Sequence, residues 1–353
     1  MASLDVDGST AGCSRWSEES TVNVEARNAV SGNASIRRPV VLNQLGVEFN
    51  DVLGAHWSQP TVVPGYDEDR VWDIPKGVDV LLTRPGPRWK AAPRIRPPEW
   101  PNDLRWIQVA SAGIDFYPDW FVAADGPEVS CGRGITANPI AEYVFAAILE
   151  HEKRLRQLAI HTPEQYVQSA TGTLEGKTIG LFGFGAIGKA VAARANAFGM
   201  EVLAVRRTST SGTQDGVRFL SGLEELAASS DHLLLAAPFT PETRHILDAR
   251  ILSAAKPGLH IINVARGGLI DQEALLAALD GSTIAGATLD VTDPEPLPAG
   301  HPLYRHPKVL ITPHISWSGT RNAQRLKDRI VANLDAYVRG LPLSDVVDPL
   351  TRY

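Results

Sequence analysis

A glycine-rich turn in the middle of the chain constrains the fold more than any other feature. Gly183, Gly185 and Gly188 form a GxGxxG pattern between a strand-like run, residues 178–182, and a helix-like run that stops at Gly199. The first glycine permits a tight turn, the second lets backbone approach a pyrophosphate, and the third lets helix pack on strand. The start of such a helix also offers N–H groups to an anion. The pattern predicts a dinucleotide site made by Gly183, Gly185, Ala186, Ile187 and Gly188.

Strand-like and helix-like runs alternate after this turn, which is typical of parallel βαβ units with right-handed crossovers. The predicted strands are Thr178–Phe182, Glu201–Val205, His232–Ala237, His260–Val264, Thr283–Asp290 and Lys308–Thr312. A second α/β region is predicted before the turn, with strands at residues 39–42, 78–83 and 104–110. The stretch between the last two, Arg84–Pro101, is rich in Pro and Arg and is predicted to be loop alone. Long helices are predicted at residues 140–156 and 320–339.

Length and charge narrow the class of protein. The 353 residues suffice for two domains, and a net charge of -6 argues against nucleic acid as a partner. The first 38 residues are predicted to be a disordered extension without a secretory signal. With only two cysteines, Cys13 and Cys131, no disulfide framework is expected, which favours the cytoplasm. No apolar run of about 18 residues exists, so no membrane span is predicted.

The end of the second strand after the glycine turn bears on the cofactor. A carboxylate there would accept a hydrogen bond from the ribose of NAD, whereas this chain has Arg206, Arg207 and Thr208. Two guanidinium groups and a hydroxyl suit a 2′-phosphate. The sequence therefore predicts NADP(H) as the preferred cofactor, with NAD(H) still allowed. The competing interpretation is a solvated basic turn.

Three further motifs resemble one enzyme family. They are NVARGGLID at residues 263–271, LDVTDPEP at 289–296 and TPHISW at 312–317. In order and spacing, and with the glycine turn, they resemble the D-isomer-specific 2-hydroxyacid dehydrogenases. The resemblance implies an α/β fold of two Rossmann-like or flavodoxin-like domains, in which an NAD(P)-binding domain (147–319) is inserted into a discontinuous substrate domain (39–146 and 320–353).

The same resemblance assigns the catalytic roles to Arg266, Glu295 and His314, and the chemistry of a 2-keto acid needs these residue types. An Arg binds a carboxylate in a fork and polarises the neighbouring carbonyl. A His supplies the proton that the nascent alkoxide requires, and a carboxylate on the other ring nitrogen orients it. The alternatives are a solvated loop Arg, a turn carboxylate with Asp293 as a competitor, and a structural His.

Secondary roles also follow from the resemblance. The loop of Ser111, Ala112, Gly113 and Ile114 is expected to hold the substrate carboxylate through its backbone, and a plain turn is the alternative. Trp317 is expected to narrow the substrate pocket or to serve in packing. Residues expected to line the dinucleotide are Pro238, Thr243, Val264, Ala265 and Asp290. Homodimers are implied, and residues 151–174 are predicted to form an arm. No metal site is predicted, because the Cys and His residues lack ligand spacing.

The sequence thus predicts an enzyme that reduces a small 2-keto acid of the glyoxylate or hydroxypyruvate type to the D-2-hydroxy acid with NADPH. Two alternatives stay open. One is a dehydrogenase of another small anion, such as formate or phosphite; the Glu at position 295 disfavours formate, because the formate relatives have Gln there. The other is a regulatory protein that senses dinucleotide on the same fold.

Overall fold

The computed structural model describes residues 38–66, 69–207 and 212–352. The predicted disordered extension lies outside these residues except for Arg38, and Cys13 and Thr208 also lie outside them. Within the described residues, two separate sheets organise the chain. The predicted α/β fold with a parallel sheet in each half is confirmed.

The first sheet has five parallel strands in the order β2-β1-β3-β4-β5, which is a flavodoxin-like order. Its strands are β1 (Val40–Asn43), β2 (Thr61–Pro64), β3 (Val80–Thr83), β4 (Trp106–Val109) and β5 (Glu128–Ser130). Every residue of β3 and β4 is buried, as expected for a parallel sheet covered on both faces.

The second sheet has eight strands in the order β13-β12-β11-β10-β6-β7-β9-β8, and only the β8–β9 pair is antiparallel. Leaving β8 aside, the order around β6 is that of a Rossmann sheet. The strands are β6 (Thr178–Phe182), β7 (Glu201–Val205), β8 (Gly212–Gln214), β9 (Val217–Phe219), β10 (His232–Leu235), β11 (His260–Asn263), β12 (Gly286–Leu289) and β13 (Val309–Ile311).

Helices cover both sheets. They are α1 (Asn50–Gly54), α2 (Pro87–Lys90), α3 (Ala137–Lys153), α4 (Leu155–Leu158), α5 (Ala186–Ala197), α6 (Leu223–Ser229), α7 (Ala249–Ser253), α8 (Gln272–Asp280) and α9 (Asn322–Val338). Short 3-10 turns lie at Val47–Phe49, Asp119–Val122, Pro163–Gln165, Gly267–Leu269 and Pro302–Arg305. The prediction that Arg84–Pro101 is loop alone was wrong, because α2 begins at Pro87, whose ring favours the first turn of a helix.

The last helix returns to the first sheet. Leu326, Ile330 and Leu334 of α9 share a core with Val41 and Trp106 of that sheet. The connecting helix α3 packs instead on the second sheet, where its apolar residues share a core with α5. The division of the chain into domains at residues 146 and 320 stays a prediction.

A buried cluster of polar side chains lies at the amino edge of the second sheet. His232 and His260 each begin a strand, are almost fully buried, and approach each other at 3.2 Å between their Nδ1 atoms. His151 stacks on His260 with ring centroids 4.2 Å apart. Glu152 lies 3.2 Å from Nε2 of His232 and accepts a hydrogen bond from Lys177 at 2.6 Å. The Lys177 charge and the His232 contact outweigh burial and lower the pKa of Glu152 to about 2.

Within the predicted arm of residues 151–174, Glu152 and Leu174 are buried and residues 154–171 are exposed; from here on, the arm means residues 154–171. Leu155, Tyr166 and Val167 are 69%, 73% and 75% exposed. The two ends of the arm meet, because the backbone N–H of Gly172 donates to the carbonyl of Glu152 at 3.0 Å. The arm is therefore a surface loop whose two ends are hydrogen-bonded to each other and whose apolar side chains are exposed.

Candidate active site

Every residue predicted to bind cofactor or substrate lies at or just after the carboxyl end of a parallel strand, apart from Thr208, which the structure does not describe. In open α/β sheets this edge is where ligands bind. The two sheets contribute different loops to the candidate site.

The glycine turn has the geometry that its sequence predicts. Gly183 has a φ of 106°, and a Cβ there would lie 2.6 Å from the backbone N of Ala237. A Cβ on Gly188 would lie 2.5 Å from the carbonyl oxygen of Gly183, so α5 packs directly on the strand end. Any side chain at either position would push these elements apart.

The start of α5 is open to a ligand. Gly185 is its N-cap, no side chain caps the helix, and a Cβ on Gly185 would meet nothing within 4 Å. The first N–H groups of a helix lack partners within the helix and attract anions. Ala186, Ile187 and Gly188 form this first turn, which fits the pyrophosphate of a dinucleotide.

The basic pair after β7 lies on the surface, because Arg206 and Arg207 are both exposed. The Arg206 guanidinium carbon lies 4.2 Å from the centroid of the Phe219 ring, which is a cation–π distance. Phe219 thus holds Arg206 next to the end of β7.

The loop after β10 is closed by one hydroxyl. The Thr243 side chain donates to the carbonyl of Pro238 at 2.8 Å and accepts from the backbone N–H of Thr240 at the same distance. Pro238 and Thr243, both predicted to line the dinucleotide, therefore lie together in a fixed turn.

A buried amide shapes the loop after β11. The Asn263 side chain accepts from the N–H of Ala265 at 3.0 Å and donates to the carbonyl of Arg266 at 2.8 Å. It thereby fixes the backbone of Val264, Ala265 and Arg266. The next residue, Gly267, has to be glycine, because a Cβ there would lie 2.0 Å from the backbone carbon of Thr292.

Arg266 reaches from this loop to the loop after β4 of the first sheet. Its Nε and Nη2 donate to the two carboxylate oxygens of Asp115 at 2.8 and 2.7 Å. Burial alone would raise the pKa of Asp115, but the hydrogen bonds and charge of Arg266 outweigh it and lower that pKa below 3.8. Burial would lower the pKa of Arg266, but the hydrogen bonds and charge of Asp115, with a contribution from Glu295, outweigh it and raise that pKa above its usual range.

The loop after β4 is a tight turn. The Ser111 hydroxyl donates to the carbonyl of Gly113 at 2.6 Å, and a Cβ on Gly113 would lie 2.3 Å from Nη2 of Arg266. The guanidinium therefore lies directly over Gly113. The side chain of Ile114 is buried in the core of the first sheet, and its carbonyl accepts from the backbone N–H of Tyr117 at 3.1 Å. Ala112, between Ser111 and Gly113, is exposed.

His314 and Glu295 are paired. The Nδ1 atom of His314 lies 2.9 Å from Oε1 of Glu295, and both side chains are partly exposed. His314 has a φ of 52°, in the left-handed region that residues other than glycine rarely adopt. Holding it there costs on the order of 1 kcal/mol, which the surrounding loop must offset.

Asp290 holds the backbone that carries His314. Its buried carboxylate accepts from the hydroxyl of Thr312 at 2.6 Å and from the N–H groups of Ile315 and Ser316 at 2.8 Å. Its carbonyl accepts from the N–H of His314 at 2.9 Å. That Asp290 lines the dinucleotide stays a prediction. The contacts of its side chain anchor the His314 loop.

Trp317 is tied to the same loop. Its indole Nε1 donates to the carbonyl of His314 at 2.7 Å, while 48% of the residue is exposed. A half-exposed indole next to His314 can limit the space for a substrate. Whether it does so stays a prediction.

In the described ranges, no group of three or more His, Cys, Asp or Glu side chains could hold a metal ion. No helix in these ranges is long and apolar enough to cross a bilayer. Cys131 is buried and free.

Comparisons with known proteins agree with this geometry. A family model described as D-isomer specific 2-hydroxyacid dehydrogenase, NAD binding domain, matches residues 145–316. A glycerate dehydrogenase of Methylorubrum extorquens is 36% identical over 251 residues, which cover 68% of this chain and 78% of that protein. A glyoxylate/hydroxypyruvate reductase A of Serratia proteamaculans is 37% identical over 222 residues, 62% of this chain and 69% of that protein.

A solved structure extends the agreement to both sheets. The D-isomer specific 2-hydroxyacid dehydrogenase of Xanthobacter autotrophicus, in complex with NADPH and MES, has a TM-score of 0.71 at 28% identity and covers 90% of this chain and 100% of that one. Fold and site thus define an NAD(P)-dependent oxidoreductase that acts on CH–OH groups. The chain belongs to the family of D-isomer specific 2-hydroxyacid dehydrogenases, and the predicted family is confirmed.

Sequence reasoning overlooked several residues that build the site. Asp115 pairs with Arg266, Asn263 shapes its loop, and Tyr143 bonds the hydroxyl of Thr312 at 2.6 Å. Burial raises the pKa of Tyr143 to about 12. Asn263 could have been found from its place at the end of a buried strand, where a polar side chain must find partners. Asp115 and Tyr143 have partners too distant in sequence to be inferred.

Proposed function

We propose that the protein reduces a small 2-keto acid of the glyoxylate or hydroxypyruvate type to the D-2-hydroxy acid, with NADPH as the preferred cofactor. The observation that carries the proposal is the His314–Glu295 pair, 2.9 Å apart, whose Glu295 carboxylate also interacts electrostatically with Arg266. Similarity to the glycerate dehydrogenase and the glyoxylate/hydroxypyruvate reductase A supports the substrate class.

Arg266 binds the substrate carboxylate. Its guanidinium is always charged, and Gly113 of the Ser111–Ile114 loop lies beside it, so that backbone N–H groups of this loop would share the anion. An Arg bound to the carboxylate of a 2-keto acid also lies close to the adjacent carbonyl oxygen. Its charge therefore favours the negative charge that develops on that oxygen.

His314 supplies the proton. Because Glu295 occupies Nδ1, the imidazole presents Nε2 to the substrate. The proton on Nε2 moves to the carbonyl oxygen as negative charge forms there, and the imidazole is left neutral. The Glu295 carboxylate stabilises the charged ring beforehand and fixes its orientation.

The turn at Gly183, Gly185 and Gly188 and the uncapped start of α5 would hold the dinucleotide. When bound, the nicotinamide supplies the hydride. The preference for NADPH rests on Arg206 and Arg207, which suit a 2′-phosphate. The Xanthobacter autotrophicus relative in complex with NADPH supports it.

A substrate panel tests the proposal. Oxidation of NADPH and NADH should be followed with glyoxylate, hydroxypyruvate, pyruvate and phenylpyruvate. We expect turnover with the smaller acids, a higher kcat/KM for NADPH than for NADH, and loss of turnover in Arg266→Ala. Binding of NADPH without turnover of any acid would favour the dinucleotide-sensing alternative.

We further propose that the protein is a homodimer in which the arm packs on a second copy. The arm exposes Leu155, Tyr166 and Val167 to water, although burial of apolar side chains lowers the free energy. The alternative is that the arm is an ordinary surface connection. The oligomeric state in solution tests this proposal.

A further inference from the structure

The Asp115–Arg266 pair is a feature that the proposed chemistry does not use. Asp115 takes the Nε and Nη2 side of the guanidinium with both of its oxygens. A bidentate pair of this kind is the strongest geometry available to a carboxylate and an Arg. A substrate carboxylate would prefer the same geometry, so the two anions have to share one cation.

Arg266 has limited freedom to rearrange. Its Nη1 donates to the carbonyl of Ala265 at 2.7 Å, its Nη2 lies over Gly113, and its guanidinium carbon is 5.3 Å from the centroid of the Phe116 ring. Of its five N–H groups, three donate to partners among the described residues. One N–H on Nη1 and one on Nη2 have no partner among the described residues. Because Asp115 takes the Nε side of Nη2, the free N–H of Nη2 faces the Nη1 end of the guanidinium, away from the Asp115 carboxylate.

Substrate does not readily displace Asp115. A carboxylate attached to the same chain and already oriented acts at an effective concentration far above that of a free substrate. The lowered pKa of Asp115 also keeps it ionised, and thus a good acceptor, throughout the neutral range. The substrate carboxylate is therefore left with the Nη1–Nη2 end of Arg266 and the neighbouring loop N–H groups.

We propose that Asp115 is a positioning residue. By holding the Nε and Nη2 side of Arg266, it leaves the Nη1–Nη2 end for the carboxylate of the 2-keto acid, whose carbonyl then lies next to His314. This inference rests on the proposed function and names a specificity device within the same site. Without the Asp115 carboxylate, Arg266 can receive the substrate on its Nε–Nη2 side. The substrate then still binds, but its carbonyl is misplaced relative to Nε2 of His314.

The test compares Asp115→Asn, Asp115→Glu and a matched control, Asp125→Asn, which breaks an exposed Asp–Arg pair with Arg96 in the same half of the chain. With glyoxylate and NADPH, Asp115→Asn should lower kcat by roughly 10- to 100-fold, the usual effect of misplacing a substrate by about 1 Å. KM should change by less than about three-fold, since binding energy is retained. Asp115→Glu should recover part of kcat, and Asp125→Asn should match the wild type.

Three results would overturn the inference. An unchanged kcat with a lower KM in Asp115→Asn would mean that Asp115 only competes with substrate. Unchanged kcat and KM would mean that the pair is incidental. Equal loss in Asp115→Glu and Asp115→Asn would mean that the carboxylate is not what matters.

A binding measurement separates this inference from the proposed function. Oxamate, a non-reducible carboxylate analogue, should bind the NADPH-loaded wild type and Asp115→Asn alike by calorimetry, and should bind Arg266→Ala at least about ten-fold more weakly. If the wild type turned over none of the acids, the proposed reaction would be refuted. The oxamate affinities of the three proteins would still test the role of Asp115. Ten-fold tighter oxamate binding in Asp115→Asn, or no binding to the wild type, would refute the positioning role.

Discussion

The buried histidine cluster should make the stability of the fold depend on pH. Burial, reinforced by the neighbouring charges of His151 and His232, lowers the pKa of His260 well below 6.5. Below about pH 6.5, His260 therefore binds a proton in the unfolded chain but stays neutral in the folded chain. The stability that His260 contributes is complete above about pH 6.5 and is lost progressively between that value and the lower pKa of the folded state.

The size of the effect follows from the near-complete burial of His260, which is 2% exposed. If the folded state keeps the ring neutral, protonation of the unfolded chain costs about 1.4 kcal/mol between about pH 7.5 and about pH 5.5. His260→Gln removes this titration. The difference in unfolding free energy between the two pH values should therefore shrink by about 1.4 kcal/mol in the variant.

Urea unfolding followed by tryptophan fluorescence, at one fixed protein concentration and both pH values, measures this difference. His260→Gln will also alter the absolute stability, because the ring contacts Thr288 at 3.0 Å, but only the pH dependence matters here. The exposed His245 provides a control, and His245→Asn should leave the pH dependence as in the wild type. An identical pH dependence in His260→Gln and the wild type would refute the reasoning.

Three further predictions follow from the site and the arm. His314→Asn should lower kcat for glyoxylate reduction by roughly 10²- to 10⁴-fold, because a positioned general acid is lost; steady-state kinetics with NADPH measures it. Arg206→Asp combined with Arg207→Ala should lower the ratio of kcat/KM for NADPH to that for NADH by at least about ten-fold, since the charge-assisted contacts to the 2′-phosphate are removed. Tyr166→Ser combined with Val167→Ser should weaken the dimer, because apolar area no longer leaves water, as light scattering over a dilution series would show.

Each of these predictions has a contrary outcome. Near-native reduction by His314→Asn would remove the proton donor from the mechanism. An unchanged cofactor ratio in the double arginine variant, or a preference of the wild type for NADH, would leave the basic pair as a solvated turn. A wild type that is monomeric at micromolar concentration would make the arm an ordinary surface connection.

The sequence predicted the elements that are long, apolar and bounded by turns. β6 and β7 have the predicted bounds, Thr178–Phe182 and Glu201–Val205, because each is a run of apolar residues in a fully covered sheet. β2 was not predicted, since this edge strand is only half-buried and ends in Pro64. β8 was not predicted because all of its residues are exposed and carry no apolar signal.

The candidate site also contains residues that the sequence predicted and residues that it did not. The paired atoms of Glu295 and His314 lie at hydrogen-bond distance, and their motifs named both residues in advance. Asp115 could not be assigned, because its partner Arg266 is 151 positions away and belongs to the other sheet. Local sequence patterns fix strand ends and turn chemistry, whereas contacts across a cleft depend on how two sheets meet.

The arm lies between the part of the chain that forms the first sheet and the part that forms the second sheet. All strands of the first sheet precede the arm, and all strands of the second sheet follow it. A single protease cut within residues 154–171 would therefore sever no strand. The carboxyl-terminal fragment would still carry α9, whose Leu326, Ile330 and Leu334 belong to the core of the first sheet. Two separately produced halves, split in the arm, should thus recognise each other through α9 and reassemble by fragment complementation, with the cleft restored between them.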